Sequence, residues 1–353
     1  MTVHITGMQM AGPAADRWGS DRTVFIAGLI LALGVICLGT SDGLISLIAA
    51  LVVFGLGHGA TDVSMNTQAV QVELTYRRPI MATFHAMFSV GGVVGSLLGA
   101  ATLAAGWTPL ESMSTAAILA AVIVVVCRRA LLRPRSVVPE KTADDPKSSQ
   151  HVSIRIVLAL ATIAFSLFLA EGAANDWSSL QVEERFETTD TTAAFAYGVF
   201  AVTMTIGRLT ADRVAASLGP VAVVRYGSLL AATGIALVIA SHTLWLTLTG
   251  WAIFGLGLSG GIPQIFTAAG RIDTSRAGTN LSRIVGAGYL GFLAGPALLG
   301  LSTTFVPLTT ALILPLALLL IAMCFGSVVK PRTEHEPTAP RPQRTRQRSG
   351  HGT

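Results

Sequence analysis

Charge is what this chain has least of. Only 12% of its 353 residues are Asp, Glu, Lys or Arg, while 52% are hydrophobic and the mean hydropathy is +0.64. That scarcity excludes a water-soluble domain of this length, which would need a charged surface around its core. Cysteine is scarce too: Cys37, Cys127 and Cys324 each stand alone in an apolar run, so neither a disulfide framework nor a CxxC metal site is offered. No HExxH or paired catalytic motif occurs, and neither an enzyme nor a metal or other cofactor is expected. The net charge of +5 sits in short turns and a Pro-rich tail without interleaved aromatics, which argues against nucleic acid as a partner. The N-terminus also lacks the basic start, apolar core and small-residue cleavage site of a signal peptide.

Long apolar runs are what the chain has instead. Ten reach the ~20 residues that cross a bilayer: Thr23 to Gly39, Leu44 to Val70, Ile80 to Ala105, Met113 to Cys127, Ile154 to Asn175, Thr192 to Leu209, Val221 to Ala240, Leu244 to Ala268, Leu281 to Thr303 and Leu308 to Val328. Isolated strands could not satisfy their backbones in lipid, so the fold class is an all-α polytopic membrane protein. Residues Met1 to Ala11 read as the last turns of a helix, giving ten complete transmembrane helices plus a stub. Threading the chain through these spans puts 23 of the 24 Lys and Arg on one side, with only Arg185 opposite. The basic side, including the C-terminus, is expected to be cytoplasmic and the protein to reside in the cell membrane. The expected division is a half-bundle over 1–127, a polar cytoplasmic linker over 128–153, a six-helix half-bundle over 154–329 and a disordered basic tail over 330–353.

The two halves resemble each other. Phe54-Gly55-Leu56-Gly57 recurs as Phe254-Gly255-Leu256-Gly257, and Gly91, Gly95 and Leu98 recur as Gly291, Gly295 and Leu298, both at an offset of 200. Ala15-Asp16-Arg17 recurs as Ala211-Asp212-Arg213 at an offset of 196. A duplicated six-helix unit explains all three. By that arithmetic the first unit is short by roughly 40 residues, one full helix and most of another.

Polar groups within the spans mark the candidate site, because an ionisable group at membrane depth costs roughly 2.5 to 3.5 kcal/mol or more. His58, Asp62 and Asn66 are spaced i, i+4, i+8 and share one helix face. That face is expected to line a central cavity, with Asp62 able to carry a proton; a buried Asp that merely ties helices together is the alternative. His85 is expected at the depth of Asn66 and Gln68, as a proton relay or as a hydrogen-bonded structural histidine. For His58, beside Gly57 and Gly59, helix packing is the better reading. Glu171 and Asn175, one turn apart toward the outer side, are candidates for a second cavity wall. Asp16 with Arg17, Glu73 with Arg77 or Arg78, and Arg208 and Asp212 with Arg213 are expected at cytoplasmic helix ends, where ion pairs and helix-dipole contacts could close an inner gate. Pro263, Pro296 and Pro315 fall within spans as candidate kinks.

Several of these residues carry a family resemblance. Gly12-Pro-Ala-Ala-Asp16-Arg17-Trp-Gly19-Ser-Asp-Arg22 and Gly207-Arg208-Leu-Thr-Ala-Asp212-Arg213 with Gly219 resemble the signature turn of the major facilitator superfamily of secondary transporters and its second-half copy. Asp62-Val-Ser-Met-Asn66, the Glu73 to Pro79 turn, Phe84-His85 and Glu171-Gly-Ala-Ala-Asn175-Asp176-Trp177 are similar to bacterial permeases of the fucose-permease-like branch. The chain departs from the pattern at Asp21, where the signature usually has a basic residue, and in lacking the first helix, where that branch places a second functional carboxylate. The resemblance implies a secondary active transporter, expected to be a monomer in the lipid bilayer. It would move a small solute, sugar-like or otherwise polar, by alternating access with proton coupling, and Asp62 matches the substrate and proton site. Efflux of an amphiphile by the same fold, and a non-transporting membrane protein lacking that helix, are the competing readings.

Overall fold

A computed structural model describes residues 2–133 and 154–331. The linker beyond 133 and the tail beyond 331, for which polar connection and disorder were expected, lie outside the described residues. The chain is all helix there: α1 (Thr2–Trp18), α2 (Ser20–Gly39), α3 (Leu44–Tyr76), α4 (Met81–Ala104), α5 (Pro109–Cys127), α6 (Ile154–Phe186), α7 (Asp190–Leu218), α8 (Pro220–Ala240), α9 (Leu244–Leu258), α10 (Gly261–Arg271), α11 (Ala277–Ser302), α12 (Leu308–Ala311) and α13 (Ile313–Phe325). Among the described residues ten spans are long and apolar enough to cross a membrane.

Several boundaries differ from expectation for identifiable reasons. The stretch around Arg185, between the expected Ile154 to Asn175 and Thr192 to Leu209 spans, is mostly helix, because α6 runs on to Phe186. Its extra turns are tied down: Trp251 Nε1 donates to Gln181 Oε1 at 3.2 Å, Gln181 Nε2 donates to Thr309 Oγ1 at 3.1 Å, and Arg185 donates to the Ser241 carbonyl at 2.6 Å. The Leu244 to Ala268 span is two helices broken at Ser259–Gly260, and the Leu308 to Val328 span breaks at Leu312. Pro263 and Pro315 stand just beyond these breaks. A proline offers no N–H to the carbonyl four residues back, so each sits in the first turn of a new helix. Pro296 is instead carried inside α11.

Equivalent glycine contacts recur in both halves. A Cβ on Gly34 of α2 would come within 2.5 Å of Phe54 Cα on α3, and one on Gly234 of α8 within 2.5 Å of Phe254 N on α9. The α2–α3 pair and the α8–α9 pair thus pack backbone to backbone at an offset of 200. Gly19 and Gly219 open α2 and α8 with φ of 97° and 82°, a conformation in which side chains are strained.

For α4 and α11 the structure corrects the register. Asp212 caps α4 at Ala82 and Thr83, while Asp16 caps α11 at Gly278 and Thr279, which fixes the offset at 196. The equivalent glycines are therefore Gly92, Gly95 and Gly99 with Gly288, Gly291 and Gly295. One helical turn separates this from the offset of 200 and leaves the helix face almost unchanged. The halves nevertheless use the face differently. Gly291 and Gly295 accept the α6 backbone at Phe165 and Leu169, and Gly288 packs on the Phe168 ring. A Cβ on Gly92, Gly95 or Gly99 would meet no atom within 4 Å, and only Met81, Ala82 and Ala86 of α4 are buried.

Candidate functional site

The site is built from α3 outward. Asn66 is buried and donates from Nδ2 to both the Asp62 backbone carbonyl, at 2.8 Å, and Asp62 Oδ1, at 2.9 Å. This turn-to-turn bond holds the carboxyl against its own helix. The other oxygen, Oδ2, is buried and accepts no hydrogen bond. Tyr289 of α11 faces this carboxyl, and its ring lies 5.1 Å from that of Phe168, about one turn before Glu171 on α6. Glu171 Oε1 pairs with Arg208 Nη2 of α7 at 3.2 Å, and Arg208 Nη1 donates to Ser89 Oγ of α4 at 3.0 Å. A row of polar groups thus runs Asp62, Tyr289, Glu171, Arg208, Ser89 and crosses between the halves twice.

The row also extends beyond Asp62. His58 stacks on Phe54 with centroids 5.6 Å apart, and on its other side meets His4 of α1 at 4.7 Å. His4 in turn lies 4.7 Å from the Tyr289 ring, is buried, and has both ring nitrogens unpartnered. Burying an imidazole without partners costs about 1–3 kcal/mol, so the packing of α1, α3 and α11 holds it there. His85 sits one turn into α4, with Nδ1 3.1 Å from the Met81 carbonyl and the Phe266 ring edge-on at 5.1 Å. It neighbours Arg208. Asn175 is half-buried, one turn beyond Glu171. Among the described residues no group of three or more His, Cys, Asp and Glu is arranged to hold a metal ion.

The expected gate residues are placed in a different way. Asp16 Oδ1 accepts from Gly278 N at 2.8 Å, and Oδ2 from Thr279 N and Oγ1 at 2.9 and 2.6 Å. Asp212 repeats this on α4, accepting from Ala82 N at 2.9 Å and from Thr83 N and Oγ1 at 2.7 and 2.6 Å. Neither pairs with its adjacent Arg17 or Arg213, which are exposed. Each carboxylate instead neutralises the unsatisfied N–H groups and positive dipole at a helix start in the opposite half. Glu73 likewise does not pair with Arg77 or Arg78, both exposed. Its Oε1 takes Arg271 of α10 at 2.9 Å, and Oε2 accepts from Ile80 N and Met81 N at 3.0 Å each. Arg208 is corrected in depth: it is buried and stands four residues before Asp212, about 6 Å further into the bundle. Counting it with the basic turns was therefore wrong.

Residues that sequence reasoning passed over include His4, Tyr289, Ser89 and Arg271. Tyr289 carried a usable signal, a polar-tipped side chain in the glycine-rich run Gly286, Gly288 and Gly291. His4 was hidden because its segment read only as a stub.

Two pseudo-symmetric helical bundles, latched at one end by carboxylates and holding ionisable groups in their interior, define a polytopic membrane carrier. The chain belongs to the Major Facilitator Superfamily, whose family model matches residues 1–183 and 160–350. It is a multi-pass transporter of that family. It is 34% identical over 305 residues, 86% of this chain and 78% of its relative, to an uncharacterised MFS-type transporter of Yersinia pestis. It is 27% identical over 324 residues to the membrane protein MosC of Rhizobium meliloti, covering 90% of this chain and 76% of MosC. The solved structure of FucP in the outward conformation aligns with a TM-score of 0.75 at 15% identity, over 94% of this chain and 87% of that one. The proton:xylose symporter XylE aligns with a TM-score of 0.73 at 11% identity, over 92% and 83%. At those identities the likeness is one of fold.

Proposed function

We propose that this protein imports a small polar solute together with a proton, by rocking its two halves about the row from Asp62 to Arg208. The halves are residues 1–127 and 154–329, the basic end faces the cytoplasm, and a single chain suffices. The observation that carries the reading is the row itself. Two carboxyls, a phenol and a guanidinium at membrane depth are expensive to keep, and they lie on both halves, where alternating access would expose them to each side in turn. Among the described residues every side-chain hydrogen bond between the halves lies from this level toward the basic end, which suits a carrier closed to the cytoplasm. Asp62, with an unpartnered oxygen, is the proton carrier in this reading. The sugar:proton symport named for the structural neighbours is the precedent for a hydrophilic solute.

The test is a substrate screen in proteoliposomes with an imposed pH gradient. Wild type is expected to accumulate its solute, and Asp62→Asn to retain expression and exchange while losing proton-driven accumulation. Full accumulation by Asp62→Asn would refute the role.

A further inference from the structure

Arg208 is not required by the packing of its helix. At the repeat-equivalent position, an offset of 196, stands Gly12, which packs on α11 so closely that a Cβ would come within 2.7 Å of the Gly278 carbonyl. At that position the interface closes without a charge, Gly12 packing directly on Gly278 and Ser282. Its copy instead buries an arginine, and in a bilayer such a group needs a reason.

The arginine is also incompletely used. A guanidinium carries five N–H donors in a planar fork. Glu171 takes Nη2 through one oxygen only, Ser89 takes Nη1, and the Nε–H is buried without an acceptor. A fork held by one carboxylate oxygen and one hydroxyl, with a donor to spare, fits a two-oxygen anion better than the partner it has. The other titratable groups around the pair are Tyr289 of α11, which faces Asp62 of α3, and His85 of α4 beside Arg208. His58 and His4 lie beyond Asp62.

Resting on the transport reading above, we propose that Arg208 is the substrate receptor of this carrier, that its ligand is a small organic monoanion with a carboxylate, and that Glu171 is the counter-ion the ligand displaces. In the empty site ionised Glu171 neutralises Arg208. An arriving carboxylate takes the guanidinium, and Glu171, left buried and unpaired, accepts a proton on Oε1 from the open aqueous side. One negative charge and one proton enter together, so the charge of the site is the same loaded and empty. Neither can bind fully without the other, so this proton is coupled through the ion pair itself and is additional to the one that Asp62 carries in the transport reading.

Matched solutes test this. Thermal unfolding of the purified full chain is followed with D-gluconate against D-sorbitol, and with lactate against propane-1,2-diol, at mildly acid and mildly alkaline pH. The anionic members are expected to stabilise wild type, at least tenfold more potently in acid, and the neutral members to do nothing. Glu171→Gln, which mimics the protonated residue, should bind the anions with equal affinity at both pH values. Arg208→Gln alone leaves Glu171 unpaired and can fail to fold, so the double variant Arg208→Gln with Glu171→Gln is the control: it should fold and lose the anion response. Equal stabilisation by the neutral partner, an anion response surviving in the double variant, or no response of wild type to any anion would overturn the proposal. Solute-driven proton entry into liposomes separates the two readings. Anion stabilisation without anion-driven proton entry sinks transport but leaves the anion site. Proton entry driven by a neutral solute and unchanged in the double variant does the reverse.

Discussion

The two carboxylate caps across the halves, Asp16 on α11 and Asp212 on α4, give the most direct measure of the proposed gate. Each accepts two backbone N–H groups and one threonine hydroxyl within 2.6–2.9 Å. Bonds to a charged acceptor contribute about 1.5–3 kcal/mol each when made inside the protein. Asn retains one acceptor oxygen, and a released helix start regains water, so the net loss for Asp→Asn is nearer the ~2 kcal/mol upper range of cap and dipole effects. In the proposed rocking these contacts part when the basic end opens, so the loss falls on the closed state alone. Two kcal/mol shifts the closed-to-open ratio about 30-fold. The caps share no partner, so the double variant should lose about 4 kcal/mol, close to 1,000-fold. The assay is a spin-label distance between Trp18 and Arg276, both exposed and in opposite halves, in a background with Cys37, Cys127 and Cys324 replaced and in lipid nanodiscs. Wild type should show one short distance, each single variant a mixture, and the double variant a predominantly long distance. A double variant that keeps the wild-type distribution while folding normally would refute the view that these caps hold the gate.

The remaining predictions concern the scaffold. Glu73 is 1% exposed and anchors Ile80, Met81 and Arg271, so Glu73→Ala should cost about 3 kcal/mol through stranded amides. Arg271, whose side chain is 34% exposed, should cost under ~1 kcal/mol when replaced by Ala; equal losses in apparent Tm would show that the ion pair, not the amides, matters. Gly291→Ala should lower the apparent Tm sharply, because its Cβ would strike the Phe165 carbonyl, whereas Gly95→Ala meets open space and should gain up to ~1 kcal/mol of helix propensity. A marked loss on Gly95→Ala, in membranes but not in detergent, would show that another helix covers the α4 face.

Sequence patterns carried some features of this protein much further than others, and the dividing line is physical. A shared helix face depends only on spacing, so the i, i+4, i+8 set of His58, Asp62 and Asn66 was legible, and the Asn66–Asp62 bond follows from it. Partners across the bundle do not follow from spacing. Asp16 and Asp212 could be assigned to a gate, but an adjacent arginine and a distant helix start both attract a carboxylate, and only tertiary packing selects the helix start. Arg208 was misplaced for a related reason: topology counting assigns charges to ends, and a buried arginine is affordable only because Glu171, thirty-seven residues earlier on another helix, neutralises it. The repeat was visible from its glycines, yet its register on α4 and α11 was one turn out, since a glycine face repeats every four residues and cannot distinguish 196 from 200. The capping bonds can, because a carboxylate reaches only the first turn of a helix. Departures from the repeat then become the informative positions. Where the copies agree, as at Gly34 and Gly234, the residue serves the packing. Where a packing glycine in one half is an arginine in the other, as at Gly12 and Arg208, packing does not call for the charge, and the proposed substrate carboxylate accounts for it.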